Sequence, residues 1–362
     1  MSAGGDAFYN EEWVVMSAKL SGGVTNKLFY WKSTSTTVTT IATGVTPSES
    51  FLACDGKYII APSGTSIQHM GFYGWNGSTG FTAALHDFDG GDDVVTGEGI
   101  HTSSEIAGRI LVPATDAGKV SVFTYTAGAP TALTQTTELA VGVQIKGGPY
   151  DLRSGIERFT PTHGTTRFIA GAAFGGSEAA KMLDLTGSSL SVIATGPTNT
   201  SQFTGYFPQR SGYDRDTHIA YGVTSGGDIY AWVMDVDTPS IGAQLTLTGG
   251  GTPAAITGCN GFVIVALTSG LIKSYSRVGS ALTEVSSYDS GAAITINGQL
   301  IVSPYTNWVY PHYTADTGTR RVLEVSESGI ITALGQMPQM TNASGLHSGN
   351  WAFISSALPD LS

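Results

Sequence analysis

Cys259-Asn-Gly-Phe-Val-Ile-Val265 is the stretch whose reading decides the fold. Asn260-Gly261 is the strongest two-residue signal for a tight hairpin, because both positions tolerate positive φ. Phe262 to Val265 then gives four apolar residues, too few for a helix and suited to a strand buried on both faces. The pattern recurs along the chain. Its other copies are Trp13-Val-Val-Met16, Tyr58-Ile-Ile-Ala-Pro62, Ile110-Leu-Val-Pro113, Phe168-Ile-Ala-Gly171, Ile219-Ala-Tyr-Gly222, Leu300-Ile-Val-Ser-Pro304 and Trp351-Ala-Phe-Ile354. Most follow a turn rich in Gly, Asn, Asp or Ser and run into a small residue or Pro.

Successive copies begin about 38 to 58 residues apart. Short strands at this period are the sequence signature of a β-propeller, in which each four-stranded blade needs its neighbours to cover its faces. If the recurring strand is the second of each blade, a third and a fourth should follow. Seven third strands are readable, among them Leu28 to Lys32, Ile229 to Val233 and Arg321 to Val325. Seven Thr-rich fourth strands come after them, from Thr37 to Ala42 through Ile330 to Leu334. Innermost strands precede the turns, as at Ser50 to Cys54 and Ala293 to Ile296. Eight second strands against seven third strands point to an all-β, seven-bladed β-propeller, residues 1–362 as a single domain, closed by its C-terminal segment joining the N-terminal blade. The alternative is an eight-bladed ring with a truncated last blade. The longest insertions, around 148–162 and 198–216, decorate one rim.

Composition narrows the partners. Charged residues are only 12% of the chain, so surface polarity must come from Ser, Thr and backbone, and 48 glycines fit many tight turns. A net charge of −11 without clustered Lys or Arg argues against nucleic acid and anionic membranes. No run of apolar residues reaches membrane-spanning length, so no membrane insertion is expected. Met1 to Asp6 has no secretory leader pattern, which with Met1 as the start predicts synthesis in the cytoplasm. Cys54 and Cys259 occupy equivalent places in distant repeats and read as reduced, buried small hydrophobes.

The sharpest local motif is Asp87-Phe-Asp-Gly-Gly-Asp-Asp-Val-Val95. Carboxylates separated by glycines can wrap a hard cation that wants six to eight oxygens. These nine residues resemble a shortened copy of the calcium loop in integrin-type FG-GAP propeller repeats. That resemblance implies Ca2+ held by Asp87, Asp89, Asp92 and Asp93, with no other cofactor. The other reading is a solvated acidic turn. The seven histidines form no local zinc pattern, and only His86, beside Asp87, stands near the cation candidate. An arginine triad of the sialidase kind has six candidates in Arg109, Arg153, Arg158, Arg167, Arg210 and Arg215, which nothing in the sequence orders. Aromatic clusters at Phe72 to Trp75, at Tyr206-Phe207 and Tyr213, and at Tyr305 to Tyr313 suit either sugar stacking or packing between sheets.

In texture the chain resembles bacteriophage virion proteins: few charges, abundant Gly, Ser and Thr, no disulfide framework, short strands throughout. The resemblance implies a structural or adhesion component of a virus particle, tail or capsid-associated, and not an enzyme. Its partners would be other virion structural proteins, with host-surface glycans at the exposed rim. Its place would be the virion, with an extracellular protein as the alternative. A carbohydrate-binding lectin and a propeller glycoside hydrolase or lyase are the alternative functions. The hydrolase class requires His, Arg and acidic residues to converge at the central channel.

Overall fold

The computed structural model describes residues 12–19, 26–32, 39–40, 53–54, 58–62, 69–74, 86–89, 101–102, 109–114, 119–124, 134–140, 156–159, 166–170, 181–195, 211–214, 216–217, 219–223, 227–233, 240–294, 299–303, 306–312, 320–336 and 351–355. Every helix or strand among them is a strand, so the described chain is all-β.

The strands fall into antiparallel sheets in chain order. The first holds β1 (Glu12–Lys19), β2 (Asn26–Lys32) and β3 (Thr39–Thr40). The second holds β4 (Ala53–Cys54), β5 (Tyr58–Pro62), β6 (His69–Gly74) and β7 (His86–Asp89). The third holds β8 (His101–Thr102), β9 (Arg109–Ala114), β10 (Lys119–Thr124) and β11 (Thr134–Ala140). The fourth holds β12 (Ile156–Phe159), β13 (Thr166–Ala170), β14 (Lys181–Thr186) and β15 (Ser189–Thr195). An eight-stranded sheet follows. One half is β16 (Ser211–Asp214), β17 (Ile219–Val223), β18 (Ile229–Val233) and β19 (Ser240–Leu247); the other is β20 (Pro253–Cys259), β21 (Phe262–Leu267), β22 (Leu271–Val278) and β23 (Ala281–Asp289). The last holds β24 (Gln299–Val302), β25 (Trp308–His312), β26 (Arg321–Val325) and β27 (Ile331–Gln336). Finally β28 (Trp351–Ser355) returns to the first sheet and pairs antiparallel with β1, Trp13 opposite Ile354 and Met16 opposite Trp351. The first strands of the groups touch in succession, β28 to β4, then β8, β12, β16, β20 and β24, as strands around one axis do. The fold is a propeller whose C-terminal strand completes the N-terminal sheet.

Two copies of the repeated motif are not second strands. Leu300 opens no hairpin arm of that kind; it lies in β24, the innermost strand of its sheet, and the second strand is β25. Trp351 likewise begins the innermost strand β28. Innermost and second strands are both covered on two faces, so both read as continuous apolar runs. The expected innermost strand at Ala293 to Ile296 is not formed through Ile294, and its last two residues lie outside the described residues.

Burial falls from axis to rim. All seven residues of β20 are buried, five of six in β21, four of eight in β22, and one of nine in β23. One apolar cluster, with Tyr221, Ile229, Ile256, Val265, Tyr275 and Leu282, fills the seam on one side of the β20–β23 sheet. A second, with Ala255, Cys259, Ile264, Leu300, Val309 and Leu323, fills the other. Near the axis the strands approach so closely that a Cβ on Gly212 would strike Thr257 and one on Gly258 would strike Asp214. Only glycine fits there. Asn260-Gly261 forms the expected two-residue hairpin, Cys259 opposite Phe262, with φ of 54° and 81°.

Hydroxyls at the outer strands tie neighbouring groups of strands at three seams among the described residues. Thr137 Oγ1 donates to the Ser188 carbonyl, Thr248 Oγ1 to that of Leu282 at 2.6 Å, and the Ile331 N–H donates to Ser286 Oγ at 3.1 Å. Ser274 Oγ, one strand further in, donates to the Gly329 carbonyl. A Thr- and Ser-rich, charge-poor chain is what this construction needs, because neutral hydroxyls satisfy partly buried carbonyls without bringing charge into the seams.

Candidate functional site

Ionisable residues on the described innermost strands occur on three consecutive strands alone: His101 on β8, Glu157 and Arg158 on β12, and Asp214 on β16. The corresponding segments β4, β20, β24 and β28 carry no Asp, Glu, His, Lys or Arg. β8 touches β12, and β12 touches β16. Among the described residues, charge on the innermost strands is thus confined to one sector.

Register fixes which of these share a face. Opposite residues of an antiparallel pair lie on the same face, and faces alternate along the strand. His101 stands opposite Leu111, which puts it on one face with Arg109, the first residue of β9. Phe159 stands opposite Arg167, so Glu157 and Arg167 share a face at diagonal positions, within the reach of long side chains. Arg158 stands opposite Phe168 on the other face. Arg109, Arg158 and Arg167 all lie within two residues of the strand ends where first strand turns to second. Three arginines that the sequence left unordered are therefore at one end of two adjacent sheets. Arg153, Arg210 and Arg215 lie outside the described residues.

Asp214 shows how that end is built. Its side chain is fully buried. Oδ2 accepts the Thr217 hydroxyl at 2.7 Å; Oδ1 accepts the Asp216 N–H at 3.2 Å and, from the next hairpin, the Gly261 N–H at 3.4 Å. Burial pushes its carboxyl above the usual carboxylate range, and those hydrogen bonds pull the other way without cancelling it. The same burial, with the Asp214 carboxylate beside it, pushes the Tyr221 phenol up to about 12. A carboxylate with both oxygens occupied and no exposure ties two sheets together and cannot reach a substrate.

A second polar group lies further out. Lys273 Nζ meets Glu284 Oε2 at 2.7 Å, with the lysine nearly buried. Beside it the Tyr275 hydroxyl is buried and has no hydrogen-bond partner among the described residues. Burial first, then the Glu284 charge, raise the Tyr275 phenol to about 12. No channel residue belongs to this group, so it bears on stability.

The expected calcium ligands divide. Asp87 and Asp89 are strand residues of β7, opposite Gly71 and His69, while Asp92 and Asp93 lie outside the described residues. Among the described residues no three His, Cys, Asp or Glu gather around a common point. Cys259 is reduced and buried, its thiol 3.4 Å from the Asn307 carbonyl; Cys54 ends the innermost strand β4. Of the cluster from Tyr305 to Tyr313, Tyr310 belongs to the packing, buried with Val309 and Pro311, and Trp308 is half-buried; Tyr305 and Tyr313 lie outside the described residues. Sequence reasoning missed Glu157. The signal was available, since its segment precedes a repeated strand where β4, β20, β24 and β28 carry no charged residue.

No protein-family model and no curated protein matches the chain. Solved structures do match it in shape. A Bacteroides uniformis protein assigned as a 6-phosphogluconolactonase aligns with a TM-score of 0.62 at 12% identity, over 95% of this chain and 100% of its own. The periplasmic gluconolactonase of Pseudomonas aeruginosa aligns at 0.60 and 12%, over 95% and 99%. A Lactobacillus plantarum protein aligns at 0.61 and 14%, over 95% and 99%. At such identities the likeness is one of fold.

These findings correct the expectation of a virion structural or adhesion component that is not an enzyme. Three of the neighbours matched over their full length bear the names of lactone-cleaving enzymes. The composition that suggested a virus particle has a local cause in the hydroxyl ties and tight turns described above. Neither the phage resemblance nor the FG-GAP one found a counterpart in the comparisons.

Proposed function

We propose that this chain is a hydrolase that opens a lactone ring, with its reacting centre near the propeller axis in the sector of β8 and β12. The observation that carries the reading is that, among the described residues, the axial Asp, Glu, His, Lys and Arg residues lie on β8, β12 and the adjoining β16, where Asp214 is buried, in a fold shared over 95% of the chain with proteins named as a 6-phosphogluconolactonase and a gluconolactonase. The reaction needs few groups. Glu157 takes a proton from water as the oxygen adds to the lactone carbonyl carbon. Arg167, diagonal to Glu157 on the same face and opposite Asp184, steadies the oxyanion that forms. The ring C–O bond then breaks, the ring oxygen takes the proton back from Glu157, and the hydroxy acid releases its carboxyl proton to solvent and leaves as its carboxylate. His101, on the neighbouring innermost strand β8, is the second proton carrier.

Seven blades are part of the same reading. The eight-stranded sheet divides where β19 meets β23 through two parallel residue pairs, Thr246 with Ala281 and Leu247 with Leu282. Division there leaves every unit four-stranded, with β28 completing the first.

The test is hydrolysis of aldonolactones by the purified protein, followed by proton release against the spontaneous rate. Saturable acceleration is expected. A rate equal to the uncatalysed one across five- and six-membered lactones would remove the reading.

A further inference from the structure

We infer that Asn260-Gly261 is a site of spontaneous covalent modification, held unreactive by its contacts with β16 and β26 and released when those contacts open. The reaction is succinimide formation followed by hydrolysis. It leaves an aspartate or isoaspartate that cannot remake the native contacts, so a chain that has opened there is permanently marked.

Glycine carries no side chain to keep its nitrogen away from a preceding asparagine. The Gly261 nitrogen loses its proton to base and bonds to Asn260 Cγ. The Cγ–Nδ2 bond then breaks, and ammonia leaves with a proton in place of the one given up. Water opens one of the two C–N bonds of the ring, giving aspartate from one and isoaspartate from the other. The net change is a water taken up and an ammonia released.

Both reacting atoms are held in the structure. The Gly261 N–H donates to Asp214 Oδ1, on β16, at 3.4 Å. Removing its proton would set an anionic nitrogen against a carboxylate, which like charges oppose. Asn260 Nδ2, the leaving group, donates to the Val325 carbonyl, on β26, at 3.2 Å. That carbonyl also accepts Asn307 Nδ2 at 2.6 Å, which uses both of its lone pairs. The backbone is fixed as well, with φ of 54° at Asn260 and 81° at Gly261 and Cys259 paired with Phe262. The Phe262 ring in turn lies so close to Gly329 that no Cβ fits there. Yet Asn260 is only half-buried and Gly261 is exposed. Protection therefore comes from these contacts and not from exclusion of water.

The hairpin tip joins strands of three consecutive groups, β16–β19, β20–β23 and β24–β27. Its reaction rate reports their local separation. After reaction, residue 260 presents a carboxylate oxygen to the Val325 carbonyl where an amide donor stood, acceptor against acceptor. The new charge sits beside the residue that Asp214 holds. Isoaspartate also lengthens the backbone of a two-residue turn that sets the register of β20 against β21.

Peptide mapping by mass spectrometry tests the site, on protein kept at mildly alkaline pH, native in one arm and in guanidinium in the other. In guanidinium Asn260 should react as fast as the chain's other Asn-Gly pairs, Asn76-Gly77 and Asn297-Gly298, which give the unprotected rate in the same digest. In the native arm Asn260 should react at least about tenfold more slowly than in guanidinium. Asp214→Ala, which removes the acceptor of the Gly261 N–H, should speed the native reaction. Equal rates at Asn260 in the two arms would overturn the protection, and an unchanged rate in Asp214→Ala would overturn the part given to β16. The reacted chain, separated by charge and refolded, should melt below intact chain refolded beside it. Asn260→Asp, produced folded, gives the same comparison without refolding and should also melt lower. A Tm equal to wild type in Asn260→Asp and in the refolded product would overturn the mark.

Discussion

Replacing Asp214 separates what its oxygens do from what its charge does. Asp214→Ala removes the acceptor of three hydrogen bonds, from Thr217, Asp216 and Gly261. A hydrogen bond to a charged group is worth about 1.5–3 kcal/mol, but Asp216, Thr217 and Gly261 are exposed residues whose donors water can partly satisfy. Losing a buried charge returns some of its desolvation. The net loss should be about 2 kcal/mol at pH 7. For 362 residues unfolding together, the usual entropy per residue turns that into a fall in Tm of about 3 °C. Asp214→Asn keeps an oxygen at the Oδ1 position for both backbone donors and should stay within about 0.5 kcal/mol of wild type. The pH dependence has a definite sign. Burial raises the native carboxyl above its unfolded value of 3.8, so its contribution to stability is fully present below that value and is lost as pH rises through the native one. Wild type should therefore gain on Asp214→Asn as the pH is lowered from 7 towards 4. Paired thermal melts of the two proteins across that range read the difference directly. An Asn variant as damaged as the Ala variant, with the gap to wild type closing on acidification, would refute the reasoning, because it would make the ionised form the stabilising one.

Tyr275→Phe removes a buried hydroxyl without a described partner and should raise stability by about 1 kcal/mol; a loss of that size would reveal a partner. Deleting 350–362 strips β28 from β1 and exposes a five-residue edge, so the truncated chain should aggregate on warming, whereas a soluble chain of unchanged Tm would contradict closure by β28. We further propose that the Asp87 to Asp93 segment binds Ca2+: chelator should lower the Tm and calcium restore it, and identical melts in both conditions would dismiss the site.

The strands of this fold are legible in the sequence because period and turn chemistry agree. Asn260-Gly261 and the apolar run after it announce β20, β21 and their hairpin before any long-range contact is known. Arg321 to Val325 and Leu190 to Thr195 are equally plain, since their neighbours in the sheet demand apolar residues on at least one face. The rank of a strand within its sheet is not local information. Leu300 and Trp351 carry the motif of a second strand because an innermost strand is covered in the same way, and the difference lies in which partner pairs on the other side. Trp308 to His312 hid its role behind Pro311, which is tolerated here on β25 and reads as a strand breaker.

The site was less legible for a related reason. His101, Arg109, Arg158 and Arg167 were all visible as residues, but the sheets that bring them together are joined by contacts between strands some 50 residues apart. Only register can place Glu157 with Arg167 and Arg158 away from both. The overall composition pointed elsewhere, because few charges and much Thr describe the seams between sheets, which are most of the molecule, and not the few axial positions that differ from one sheet to the next.

The most direct measurement is the hydrolysis of a saturating lactone by wild type, Glu157→Gln and His101→Asn, each checked by its melting curve. We predict that Glu157→Gln loses at least a hundredfold in kcat with an unchanged Tm, and that His101→Asn falls less and shifts the pH profile. Full activity in both variants, at wild-type stability, would contradict an axial reacting centre in the sector of β8 and β12.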